Sequence, residues 1–143
     1  VGNIDWLWQK PDTKFWAARD FKYLMKGSRW CINSSVMWFD PVKYNYVYSE
    51  FDVKQIVNNP RCLWHGDQDY IFSKIKDDVA YYSTDQILSY RWQVMEGGFD
   101  FRYRKHLDPG GPSVLPSDAS ILIFHGNPKP LEVKDNIISQ HWR

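Results

Sequence analysis

Ile121-Leu122-Ile123-Phe124 runs directly into His125-Gly126-Asn127-Pro128-Lys129-Pro130, and the reading of that junction decides the fold. An unbroken apolar run leaves no solvated face, so it predicts a central strand covered on both sides, the habit of strands in α/β sheets. Glycine and proline then end it with turn chemistry. Gly126 allows a backbone to approach a ligand closely, and Lys129 supplies a compact positive charge for a departing diphosphate. His125 suits a phosphate contact or one position on a manganese-like cation. The bland alternative is a tight surface turn with a solvated lysine. The direct join to a buried strand favours function, because ligands in open α/β sheets bind beyond the carboxyl ends of strands.

Working outward, the tail from Leu131 to Arg143 closes with a short helix. Upstream, Gly97, Gly98, Pro109, Gly110, Gly111, Pro112 and Pro116 make residues 96–118 a loop. Ile87 to Val94 and Val79 to Tyr82 read as strands. Asp67 to Lys76 reads as a helix, with Tyr70, Ile71 and Ile75 apolar and acids in its first turn. Residues 44–58 suit a helix with Tyr44, Val47 and Phe51 on one stripe, ended by Asn58-Asn59-Pro60. Trp30 to Phe39 reads as a buried strand, interrupted by Asn33-Ser34-Ser35 and stopped by Asp40-Pro41. Phe15 to Arg19 is a short strand, and residues 3–9 a short helix or turn. Strands alternating with helices argue for an α/β domain, taken as a single domain over residues 1–143.

A net charge of +1 argues against a nucleic-acid partner, which more often meets a basic stripe. The dense basic stretch Arg102, Arg104, Lys105 and His106 reads as a solvated strand face. No apolar run reaches the length of a transmembrane helix. Cys31 and Cys62 have no zinc-ligand or Cys-x-x-Cys spacing and read as buried thiols, so a reducing, cytoplasmic setting is expected. Aromatic residues make up 17% of the chain. They suit sugar rings and nucleobases but also fill cores, and the core is the expectation for most of them.

Two further segments combine polar residues with a strand or helix end. Asn33, Ser34 and Ser35 sit inside an apolar strand, where polar groups need partners. They could bond the hydroxyls of a sugar, or they could form a bulge with their polar atoms satisfied by backbone. His65-Gly66-Asp67-Gln68-Asp69 opens a helix. Asp67 could simply cap it and Asp69 complement its dipole. Alternatively the segment bonds sugar hydroxyls or stabilises an oxocarbenium-like centre, with Asp67, Gln68 and Asp69 as catalytic candidates and His65 and Gly66 as substrate contacts.

In order, these three segments resemble retaining glycosyltransferases of the GT-A fold, of the glycogenin and lipopolysaccharide-galactosyltransferase type with related bacterial and phage enzymes. The resemblance spans about Ile4 to Pro130 and rests on Asn33-Ser34-Ser35-Val36-Met37, Asp67-Gln68-Asp69 and Gly126-Asn127-Pro128-Lys129-Pro130. It implies a Rossmann-like GT-A domain, in part, with a mixed sheet flanked by helices. It implies sugar transfer from a nucleotide-sugar donor to a carbohydrate or glycan acceptor, assisted by manganese or magnesium. Asn33 and Asp67-Gln68 would face the donor and acceptor sugars, with Gln68 near the anomeric carbon, and Lys129 would contact the donor diphosphate. Two positions depart from the family pattern. The family's metal-binding histidine falls where this chain has Ile123, while His125 adjoins Gly126, and Leu131 replaces a tryptophan.

The family's Asp-x-Asp metal motif would lie upstream of Asn3-Ile4-Asp5. The expectation is therefore the C-terminal half of a catalytic domain, with little transferase activity by itself and self-association through an exposed sheet edge. The alternative is a non-catalytic carbohydrate- or partner-binding α/β module using its aromatics as a sugar platform. A glycoside hydrolase has only Asp67 and Asp69 to draw on, and residues two apart on a helix do not share a face.

Overall fold

The computed structural model describes residues 2–21, 32–54, 66–94, 99–100, 105–106, 115, 117–133 and 136–141. The architecture is mixed α/β, in two compact units, one of Asp5–Tyr82 and one of Val1–Ile4 with Ser83–Arg143. Cys31, Cys62 and His65 lie outside the described residues, as do Arg102 and Arg104. Among the described residues no helix is long and apolar enough to cross a membrane.

The Asp5–Tyr82 unit opens with a 3-10 turn at Asp5–Leu7 and is built on three strands, β1 (Phe15–Arg19), β2 (Ile32–Trp38) and β3 (Val79–Tyr81). The sheet order is β2-β1-β3, antiparallel between β1 and β2 and parallel between β1 and β3. The central strand is the most buried, as its place demands. Phe15 and Ala17 point to one face and join Ile32, Tyr44 and Ile75 in a core. Trp16 points to the other face.

The helices of this unit include α1 (Asn45–Ser49) and α2 (Asp67–Ile75). The helix predicted over residues 44–58 is not continuous. The chain leaves α1 at Glu50, and the Asp52 carboxylate then accepts the Lys54 amide at 2.9 Å, a side-chain competition typical of aspartate. The α2 expectation holds closely. Acids stand in its first turn and Lys74 in its last, matching the helix dipole. Its N-cap, however, is Gly66. Asp67 is the first helical residue and not the capping one.

The second unit pairs β4 (Ile87–Ser89) in parallel with β7 (Ile121–Ile123), in the register Ile87 to Ile121, Leu88 to Leu122 and Ser89 to Ile123. Among the described residues β7 pairs with β4 alone, where a central strand was expected. The strand expected over 87–94 stops at Ser89 and coils into a π-helical turn over Tyr90–Val94. The Gln93 side chain explains the change, because its Oε1 accepts the Ser89 amide at 2.9 Å and satisfies it locally. Within the glycine- and proline-rich stretch, β5 (Phe99–Asp100) pairs antiparallel with β6 (Lys105–His106). A 3-10 turn at Pro130–Glu132 leads to α3 (Asn136–His141). The core gathers Leu88, Tyr90, Val94, Ala119 and Ile137.

Candidate functional site

Because β4 and β7 are parallel, their carboxyl ends emerge on one edge, the position where α/β sheets bind ligands. Ser89, the last residue of β4, is completely buried. Its Oγ lies 3.5 Å from His125 Nδ1, two residues past the end of β7. Tyr90 and Phe124 stack at 4.8 Å with an interplanar angle of 20°, so both strand ends are held before the polar residues begin.

Gly126 follows with φ +71°, the left-handed region that other residues enter only with strain. A Cβ there would stand 2.7 Å from Arg91 Nη1. The guanidinium therefore lies against the bare backbone of Gly126, and glycine is needed for that approach. Partial burial pulls the Arg91 pKa below its ordinary value; an arginine remains cationic in proteins regardless. Lys129 is exposed, and its backbone N–H donates to Glu132 Oε2 at 2.7 Å. A hydroxyl, an imidazole, a guanidinium and a glycine backbone thus collect at the strand ends. Such a group suits an anion with several oxygens, since guanidinium binds phosphate in a fixed fork. His125, Gly126 and Lys129 were named from the sequence; Ser89 and Arg91, which the structure places beside His125 and Gly126, were not. Their signal was the end of a second apolar run, hidden by reading residues 87–94 as one strand.

The other predicted residues lie in the Asp5–Tyr82 unit. At Asn33-Ser34-Ser35 the strand carries an irregularity. Ala17 pairs with Met37 but Ala18 with Asn33, so Ser34, Ser35 and Val36 are skipped. The Asn33 Oδ1 accepts the Ser35 amide at 3.0 Å and braces this enlarged bulge. That is the satisfied-bulge alternative for Asn33. Ser34 is half-buried and Ser35 exposed.

Gly66 and Asp67 border an open cavity of about 480 Å³ together with Tyr48, Phe51 and Tyr70. Tyr48 is 85% exposed and Phe51 50% exposed. Phe51 meets Tyr70 edge-on at 5.0 Å, and the Tyr70 hydroxyl donates to Val47 O at 2.8 Å. Apolar ring faces beside a carboxylate are chemistry a sugar can use. Gln68 is half-buried, and Asp69 is buried on the inner side of α2 with Tyr70 and Ile75.

One more charged constellation in this unit is structural. The Asp78 carboxylate takes Lys43 Nζ at 2.6 Å, the Tyr44 hydroxyl at 2.6 Å and Lys14 Nζ at 3.1 Å. Lys43, Tyr44 and Lys14 together hold Asp78 well below the usual carboxylate range. The bonds to Asp78 and Tyr44 push Lys43 up to about 12. Burial, then the bond to Asp78, raises the Tyr44 hydroxyl. These contacts fasten the starts of β1 and α1 to the turn after α2, and every polar group in them is engaged internally.

The predicted residues thus fall into two groups. Asn33, Ser34, Ser35, Gly66, Asp67, Gln68 and Asp69 belong to one unit, and His125, Gly126 and Lys129 to the other. Among the described residues no three histidine, cysteine or acidic side chains are placed to hold a metal ion, so His125 stands as a single imidazole donor there. Comparison with protein-family models, with curated proteins and with solved structures gave no match.

Proposed function

We propose that this chain is part of a nucleotide-sugar-dependent glycosyltransferase of the GT-A type, similar to the glycogenin and lipopolysaccharide-galactosyltransferase group. The observation that carries the reading is the cluster of Ser89, Arg91, His125 and Gly126 at the carboxyl ends of two parallel strands. A donor diphosphate placed there would meet the Arg91 guanidinium and the open backbone of Gly126, with the Lys129 ammonium as a second charge. Fixed cations aimed at a leaving diphosphate stabilise the charge that develops as the glycosidic bond breaks. The His125 imidazole, set by Ser89, would hold a phosphoryl oxygen. Gln68 and Asp67 lie in the other unit, and their role toward a sugar rests on the resemblance alone. A divalent cation, when bound, supplies further neutralisation of the diphosphate. Among the described residues no three histidine, cysteine or acidic side chains are placed to hold it, and His125 is the imidazole at this cluster.

Calorimetric titration of uridine diphosphate and inorganic pyrophosphate, with and without manganese, tests the reading. The expected result is diphosphate binding that Arg91→Ala weakens at least about tenfold, a charge-assisted hydrogen bond being worth about 1.5–3 kcal/mol. Equal binding by the wild type and Arg91→Ala would overturn it.

A second reading is favoured by the cavity beside α2. Exposed Tyr48 and Phe51 with Asp67 make a carbohydrate platform that needs no nucleotide. Oligosaccharide binding lost in Tyr48→Ala, with no diphosphate binding, would select this reading over transfer.

A further inference from the structure

Three aromatic rings of the Asp5–Tyr82 unit surround one ammonium. Lys10 Nζ lies 4.8 Å from the Trp16 ring centroid and 5.9 Å from those of both Trp6 and Tyr82. The rings brace one another. Trp6 meets Tyr82 edge-on at 5.4 Å, Trp16 lies 5.7 Å from Tyr82, and Trp16 Nε1 donates to Pro11 O at 3.2 Å.

Two walls belong to the sheet. Trp16 lies in β1, and Tyr82, just past β3, donates its amide to Ala17 O at 3.1 Å. The third wall and the occupant, Trp6 and Lys10, belong to the segment that precedes β1. A frame of two fixed rings is therefore closed by a strap that carries its own cation.

Tyr82 is 3% exposed, and its hydroxyl has no hydrogen-bond partner among the described residues. Burial pushes that hydroxyl's pKa up to about 12, so it stays protonated. What Tyr82 gives the cage is its ring, whose centroid lies 5.9 Å from Lys10 Nζ.

Lysine is an imperfect guest for such a cage. Its ammonium is strongly hydrated, and water is lost when rings close around it. A methylated ammonium keeps the attraction to the ring faces with a weaker hydration shell, and aromatic cages are the recurrent solution for such cations. We propose that Trp6, Trp16 and Tyr82 form a binding cage for an organic ammonium, a methylated or quaternary amine, which Lys10 fills in the free chain and vacates when the ligand enters. The cage shares no residue with the diphosphate cluster and does not depend on the proposed transfer.

Tetramethylammonium is the probe, titrated into the whole chain and followed by the upfield shift of its methyl resonance. Because Lys10 competes for the cage, Lys10→Ala and the longer neutral Lys10→Gln should each bind about tenfold more tightly than the wild type. Adding Trp16→Leu, or Trp6→Leu in the strap, to Lys10→Ala should abolish the gain and the methyl shift. Equal affinity of the wild type and both Lys10 variants would overturn the proposal, as would binding that survives the loss of either tryptophan. Failure of both Lys10 variants to fold would make Lys10 a structural plug and would likewise end it.

Discussion

Gly126→Ala tests the strand-end cluster most directly, because the structure separates its two effects. At φ +71° an alanine enters the left-handed region, at about 1–2 kcal/mol. Its Cβ would also stand 2.7 Å from Arg91 Nη1 and 3.9 Å from Cζ. That neighbour is the end of a flexible side chain, so it can swing away at little energetic cost. Stability should therefore fall by the backbone strain alone, about 1–2 kcal/mol, which lowers a urea midpoint by about 0.5–1 M at a slope of about 2 kcal/mol per M. Diphosphate binding should fall by about as much as in Arg91→Ala, since the guanidinium has been displaced. In the double variant the binding losses should not add, whereas the strain should persist. Asparagine tolerates this backbone region better, so Gly126→Asn should recover part of the midpoint but not the binding. An unchanged midpoint in Gly126→Ala, or diphosphate binding that survives Gly126→Ala but not Arg91→Ala, would refute the reasoning.

Ile75→Ala removes a side chain that is 1% exposed in the core of the Asp5–Tyr82 unit; an unfolding titration should show a loss of about 2–5 kcal/mol. Asp78 has a depressed folded-state pKa, so its contribution is present above the unfolded carboxylate value and disappears as pH falls through the folded one. Asp78→Asn should flatten the acid limb of a stability–pH profile. Lys43, raised to about 12, acts in the opposite sense, with its contribution present below the unfolded lysine value and lost as pH rises through about 12. Tyr48→Ala at an 85% exposed site should leave stability within about 0.5 kcal/mol, while chemical-shift titration shows oligosaccharide binding reduced if the platform reading holds. Among the described residues β2 and β3 are the outer strands of their sheet, and unpaired edges recruit partners. Sedimentation should show concentration-dependent association, and a single monomeric species at all concentrations would count against it.

The parts of the fold that were legible in the sequence are those set by local pattern. Phe15–Arg19 was bounded correctly because its apolar run is short and stands alone. Asp67–Ile75 was legible because apolar spacing and end charges agree. Where one side chain redirects the backbone, pattern was silent. Gln93 turns the end of an apparent strand into a π-helical turn, and Asp52 divides an apparent helix. The bulge at Ser34–Val36 was visible as misplaced polarity in an apolar run. Its extent was not, because register is set by a partner strand. Arg91 against Gly126, and Lys10 against Tyr82, join residues distant in sequence, and no spacing rule addresses such pairs.

The same distinction decides how Asp67-Gln68-Asp69 should be read. In sequence the two acids look like a pair. On a helix each residue turns about 100°, so the two point about 200° apart. The structure follows, with Asp67 exposed at the cavity and Asp69 buried beside Tyr70 and Ile75. A glycosidase needs both carboxyl groups facing one sugar, and this helix turns them away from each other. A transferase or a binding platform needs only the solvent-facing carboxylate and its neighbours, which is what α2 presents beside Tyr48 and Phe51. Any carbohydrate chemistry at this helix therefore belongs to Asp67 and the half-buried Gln68, while Asp69 acts on the packing and electrostatics of α2.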